Sequence, residues 1–125
     1  MSSSTSKTPE IMPHQTMQGH SDWVNDVAHL PGGRRIITCS SDGSLRLWDL
    51  KSGTQIGEDW REGNNEVWSM ALSPNGEIVA SGCDVVCTLC WSADGERIAS
   101  GSWDGTARVR LTHQNLQRVD TMKTL

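Results

Sequence analysis

The chain has neither phenylalanine nor tyrosine, so six tryptophans are its whole set of large aromatic rings. A core assembled from varied aromatics is excluded, and so lopsided a set is what copying one tryptophan-using unit leaves behind. Long hydrophobic runs are missing as well. No apolar stretch approaches the roughly 20 residues of a membrane-spanning helix, and the segment after Met1 lacks the apolar centre of a secretory signal. Charge is mixed, with 11 Lys and Arg against 15 Asp and Glu for a net −4 and no block of one sign. A surface that binds nucleic acid by neutralising phosphates needs the opposite balance, so neither a nucleic-acid partner nor a membrane is expected. There is no Asn-x-Ser/Thr sequon, and four cysteines without an export signal read as reduced thiols in an intracellular, cytoplasmic protein.

What the chain does have is repetition. The stretch GHSDWVNDVAHLPGGRRIITCSSDGSLRLWD, Gly19 to Asp49, reads as three short strands. Val24 to His29 is the first, Leu30-Pro31-Gly32-Gly33 turns, Arg35 to Ser40 is the second, and the tight Ser41-Asp42-Gly43 turn leads into Ser44 to Asp49, where Leu45 and Leu47 alternate. Lys51-Ser52-Gly53 then turns into a fourth strand, Thr54 to Glu58, followed by a charged loop from Asp59 to Asn65. Gly-His in front and Trp-Asp behind resemble the WD40 repeat, whose period is roughly 40 to 45 residues and whose copies each form one blade of a β-propeller. The resemblance implies an all-β, incomplete WD40-type propeller of antiparallel blades with disordered termini. A full ring takes roughly 4 to 8 blades, and the chain holds material for fewer than three.

Two further copies follow. Gly33 and Gly76 stand 43 positions apart, and the offset pairs Val24 with Val67, Val27 with Met70, Pro31 with Pro74 and Thr38 with Ser81. The third copy aligns on Gly95, matching Val86, Leu89, Ile98, Ser100, Asp104 and Thr106 to Val24, Val27, Ile36, Thr38, Asp42 and Ser44, but it starts only 19 positions after the second. Half a repeat is therefore deleted after Asp84. The resulting division is a tail over 1–18, a partial propeller over 19–110 (a blade at 19–60, a half blade at 63–84, a partial blade at 85–110) and a second tail over 111–125. The half blade's open strand is expected to pair with the first strand of copy three. Copy three ends on Arg110 where copy one has Trp48, so Arg110 is expected to point to solvent and leave that blade frayed. The polar end after Leu111 reads as a tail with a short frayed helix around Leu116, Val119 and Met122.

The resemblance also assigns roles. His20, Thr38, Asp42 and Trp48 match the hydrogen-bonded tetrad of a WD40 blade, of which copy three keeps Ser100 and Asp104 and copy two only Ser81. A His, an Asp and a hydroxyl also invite a nucleophilic reading, but the chain has no nucleophile-elbow pattern and is read as no enzyme. Trp23, Asn25, Ser41, Glu66, Trp68 and Trp103 match positions that in the family line the top face, where partners dock; the alternative is that some of these tryptophans pack between blades. Cys83, Cys87 and Cys90 have a spacing that a zinc site could use, yet Cys87 and Cys90, three apart on a strand, face opposite ways. No metal and no cofactor is expected.

The leading expectation is thus a protein-interaction scaffold that holds a protein or peptide on the blade top face. The competing one is a degenerate fragment of a larger array without independent function. Stacked repeats bury one another, and open strand edges invite pairing with other chains, so a homo-oligomer that completes a ring is the natural way for such a fragment to persist.

Overall fold

The computed structural model describes residues 14–61, 66–83, 86–111 and 120–124, with backbone alone for residues 83, 87, 110, 111 and 120–124. Within them the chain forms ten antiparallel strands in three sheets. The first sheet contains β1 (Val24–His29), β2 (Arg35–Ser40), β3 (Ser44–Asp49) and β4 (Thr54–Arg61) in that order. Its local logic is in the sequence: Leu45 and Leu47 alternate on β3, β2 is buried on both faces from Ile36 to Ser40, and the three hairpins close on glycines with positive φ, Gly33, Gly43 and Gly53. β4 runs past Glu58 to Arg61, into what reads as a loop. Gly57, in the left-handed region, absorbs a bulge, so Ile56 pairs with Leu47 and Trp60 with Leu45. The apolar Trp60, packed against the core, draws the strand on.

The third sheet repeats the pattern with β7 (Val86–Trp91), β8 (Arg97–Ser102) and β9 (Ala107–Leu111). The backbone of Arg110 pairs with Ile98 on β8, while its side chain, expected to face solvent, lies outside the described residues. The second sheet departs from expectation. β5 (Val67–Leu72) pairs with β6 (Ile78–Cys83), but the other edge of β6 is taken by β10 (Asp120–Thr124), with Asp120 opposite Gly82 and Thr124 opposite Ile78. The expected pairing of β6 with the first strand of copy three does not occur. β7 has the apolar spacing of an innermost strand, and it packs its face, not its edge, against the second sheet. The C-terminal tail is likewise corrected in part: residues 120–124 are a strand, and the end of the chain supplies the third strand that the deletion removed from the half blade. Of the helix expected around Leu116, Val119 and Met122, residues 112–119 lie outside the described region, and Met122 is in β10. At the other end, residues 1–13 of the expected tail lie outside it too. Residues 14–18 carry no strand, and Gln15 donates its side-chain amide to the carbonyl of Leu50.

The three sheets stack as consecutive blades, with β5 lying against both β1 and β7. One core lies between the first and second blades: Leu30, Ile37, Cys39, Leu45 and Leu47 meet Val67, Met70 and Val79. A smaller one joins the second and third, where Ala80 and the partly buried Ala71 meet Val86, Leu89 and Ile98. Three polar bonds brace these junctions, Asn25 Nδ2 to the Val67 carbonyl at 2.9 Å, Trp91 Nε1 to the Ala71 carbonyl at 2.9 Å and Ser69 Oγ to the Val86 carbonyl at 3.4 Å.

Candidate functional site

Two groups of residues compete for a functional role, and they lie in different environments. The first is held inside blade one. Trp48 on β3 donates its indole N–H to Thr38 Oγ1 on β2 at 2.8 Å. Thr38 Oγ1 lies 2.6 Å from His20 Nε2, and His20 Nδ1 lies 2.9 Å from Asp42 Oδ2. One assignment satisfies every atom: the Thr38 hydroxyl donates to Nε2, and Nδ1–H donates to the carboxylate, so three hydrogen bonds point the same way from Trp48 to Asp42. Asp42 also accepts the Ser21 and Ser44 backbone N–H groups and the Ser44 hydroxyl, at 3.0, 2.9 and 2.6 Å. Burial alone would push the Asp42 carboxyl up, but the Ser44 and His20 side chains and these backbone donors outweigh it, and hold the carboxyl far below the usual carboxylate range.

The group is closed in: the side chains of His20 and Asp42 are only 5% and 3% exposed. The Thr38 oxygen is also engaged by the indole. The network ties the loop before β1 to the β2–β3 turn and to β3, and fixes how the hairpins of the blade meet.

A pH prediction follows, with its sign. A carboxyl whose folded pKa is depressed gives stability that is complete above its unfolded pKa of about 3.9 and is lost as pH falls below that value. The urea midpoint should therefore be flat from pH 7 to about 5 and fall at lower pH. Other aspartates contribute to that slope, so the test is the difference between wild type and Asp42→Asn. We expect the variant to be less stable at pH 7 by about 2–3 kcal/mol, the scale of a well-paired aspartate, and the gap to narrow steadily as pH falls below about 4, with part of it still present at about pH 2. Parallel curves across the range would rule this out.

Copy three keeps half the device. The hydroxyl and N–H of Thr106 bond Asp104 Oδ1 at 2.6 and 2.9 Å, as Ser44 bonds Asp42. Asp104 is nevertheless exposed, its other oxygen turned to Arg108 at 3.3 Å, while Ser100 is buried on β8. The cause is the deletion: the position of copy three that aligns with His20 falls on Gly82, inside β6, so there is no loop to carry a histidine.

The second group lies at the end of the blades where β1 and β5 begin. Trp23 is 78% and Trp103 67% exposed, and the Trp103 ring leans on Trp68 with centroids 5.8 Å apart and planes tilted by 55°. The backbone N–H of Ser41 donates to the Trp23 carbonyl at 2.9 Å, which places the Trp23 backbone beside the β2–β3 turn. Glu66 is exposed beside Trp68. Asn25 and Ser41 differ from the rest: Asn25 Nδ2 donates to both Ser41 Oγ and the Val67 carbonyl, so these two residues brace the junction of blades one and two. Sequence reasoning also passed over Arg46, whose guanidinium reaches Gln55 Oε1 at 3.2 Å and Asp59 at 3.9 Å and ties β3 to β4.

Of the three cysteines with metal-like spacing, Cys90 is exposed, and the side chains of Cys83 and Cys87 lie outside the described set. Among the described residues no group of three or more His, Cys, Asp or Glu is placed to hold a metal ion. Cys39, in the first core, has its thiol pushed up to about 12 by burial and by the nearby Asp26 charge. Among the described residues no helix is long and apolar enough to cross a membrane.

Stacked antiparallel blades, each opened by a short inner strand, define the architecture as that of a β-propeller. The family model described as "WD domain, G-beta repeat" matches residues 12–49, 57–84 and 84–110, and the chain belongs to the WD40-repeat family. It is 31% identical over 128 residues to a guanine nucleotide-binding protein subunit beta of Zea mays, covering 76% of this chain and 34% of that one. To a protein transport protein sec13 of Aspergillus oryzae it is 33% identical, covering 79% of this chain and 34% of the other. The fold is similar to the C-terminal WD40 domain of Sif2, with a TM-score of 0.69 at 20% identity over 77% of this chain and 36% of that domain. The chain thus spans about a third of the length of these relatives.

Proposed function

We propose that the chain is a non-enzymatic interaction module that holds a protein or peptide on the face formed by Trp23, Glu66, Trp68 and Trp103, with Asn25 and Ser41 beneath it. Its unit is the partial propeller over 19–110, in blades 19–60, 63–84 and 85–110, to which the strand at 120–124 is added. The observation that carries this reading is the exposure of Trp23 and Trp103 at one end of the blade stack. Two large rings left in water forgo about 1.5–3 kcal/mol of burial each, and tryptophan is the side chain most enriched where partners bind tightly. Membership of a family whose relatives include a named subunit of a larger protein supports a protein partner. The burial of His20, Thr38 and Asp42 supports the absence of catalysis.

Panning a displayed peptide library against the whole chain tests this. Enriched peptides should lose roughly 30-fold in affinity with Trp23→Ala or Trp103→Ala, the scale of a binding hot spot. Peptides that bind both variants as well as wild type, or no enrichment at all, would rule the face out. The second reading, a remnant of a larger array that persists by oligomerising, is favoured by a separate observation: among the described residues, Val24 and Val27 on the outer face of the first blade and Val109 on that of the last stay exposed.

A further inference from the structure

Each blade builds its core by laying one sheet face, here its trailing face, against the leading face of the blade that follows. The chain makes two such junctions, and aligned positions serve both. On the leading faces, Val67 and Met70 of blade two are 3% and 6% exposed, and Val86 and Leu89 of blade three 1% and 9%. The aligned residues of blade one, Val24 and Val27, are 52% and 55% exposed. On the trailing faces, Leu47 of blade one is 8% exposed, while the aligned Val109 of blade three is 67% exposed.

The hairpin turns repeat the pattern. A Cβ on Gly76 would collide with the Pro31 ring, and one on Gly95 would touch Pro74 at 3.7 Å, whereas among the described residues nothing lies within 4 Å of the same point on Gly33. Among the described residues, the β1 part of blade one's leading face, at Val24 and Val27, and the trailing face of blade three, at Val109, are therefore left open, while Gly19 and His20 close over Trp48 and Thr38 on the rest of the first. They are the two halves of a contact that the chain already builds twice.

We infer that a second copy of this chain covers both faces, giving a two-fold ring in which blade one of each copy sits on blade three of the other. Val24 and Val27 of one copy then meet Cys90, Ala99 and Val109 of its partner, and Gly33 receives Ala93, the residue aligned with Pro31 and Pro74. The occupant follows from continuity: the stack already joins these two faces in this order, and this chain presents both. Head-to-tail contacts either close into rings or run on as filaments, and two sets of three blades make six, within the roughly 4 to 8 of closed propellers. The inference rests on reading the chain as a partial propeller, but it uses none of the residues of the tryptophan face.

Sedimentation equilibrium on the full chain tests it with two substitutions at exposed positions, Val27→Arg on the leading face and Val109→Asp on the trailing face. Wild type should sediment as a dimer, and each variant alone as a monomer with unchanged far-UV circular dichroism. Mixing the two should restore a dimer, since one wild-type junction re-forms and the other sets the introduced guanidinium against the introduced carboxylate. A wild-type monomer, an assembly larger than two copies, variants that still dimerise alone, or a mixture that stays monomeric would each overturn the inference. A variant that loses its strand signal is replaced by Val24→Lys or Cys90→Lys, read against the same outcomes. Trp23→Ala should leave the dimer intact, and monomeric Val27→Arg should still capture peptides, so failure of either reading is seen separately.

Discussion

Trp48→Ala is expected to lower the stability of the chain by about 3–5 kcal/mol, the usual result of truncating a buried tryptophan to alanine. The side chain is only 3% exposed, and it is covered from the front by the segment that leads to His20, where Gly19 lies against the indole and Arg46. Removing the ring opens a cavity and strands Thr38 Oγ1, which loses the indole donor and keeps only His20 and a 3.5 Å contact to the Arg46 carbonyl. Small domains hold about 5–15 kcal/mol in all, so such a loss approaches the whole reserve. With urea slopes of about 1–3 kcal/mol per molar, the midpoint should drop by roughly 2 M or the chain should be unfolded in buffer. Trp23→Ala is the control, because a ring that is 78% exposed should change stability by about 0.5 kcal/mol or less. Equal shifts for the two would mean that Trp48 is not the anchor of the blade.

The contrast between those two tryptophans marks how far the sequence can be read. Strands β1 to β3 and the hairpins of all three copies were legible, because each is a local object: alternating apolar residues, a turn glycine, a partner a few residues away. The offsets between Gly33, Gly76 and Gly95 located the deletion for the same reason. β4 was cut short at Glu58 because its continuation depends on a bulge at Gly57 and on Trp60 finding Leu45 across the sheet, neither of which a charged stretch advertises.

Within the site, residue types matched to the repeat identified candidates but not their surroundings. His20, Thr38, Asp42 and Trp48 stand together through hydrogen bonds, whereas Ser100 and Asp104, chosen on the same alignment, do not, because their histidine was lost with the deleted loop. Asn25 was legible as a residue beside Trp23 on the first strand. Its bond to the Val67 carbonyl depends on how two blades stack, a relation between residues 42 apart in sequence. A long-range brace of that kind leaves no trace in spacing.

The C-terminal strand is the largest departure from the sequence reading, and its removal is the second substantial prediction. Asp120–Thr124 is short and polar, and nothing local selects a strand for it. What selects it is the edge of β6, left without a neighbour when the deletion took the third strand of its blade. Pairing adds about 0.5–1.5 kcal/mol per hydrogen bond, and fixing each residue costs about 1–2 kcal/mol, so over five residue pairs the two nearly cancel. Truncation after Leu111 should therefore shift the urea midpoint little, while it bares the edge of a strand that carries the buried Val79 and Ala80. Unpaired edges with apolar faces recruit one another. The truncated chain should lose amide-exchange protection along β6 by roughly tenfold or more and form large, thioflavin-positive assemblies at concentrations where the full chain stays clear. Met122→Pro, which removes a donor from the middle of β10 without shortening the chain, should do the same to a lesser degree. If both variants kept the protection of β6 and stayed dispersed, the strand would not be what closes that blade.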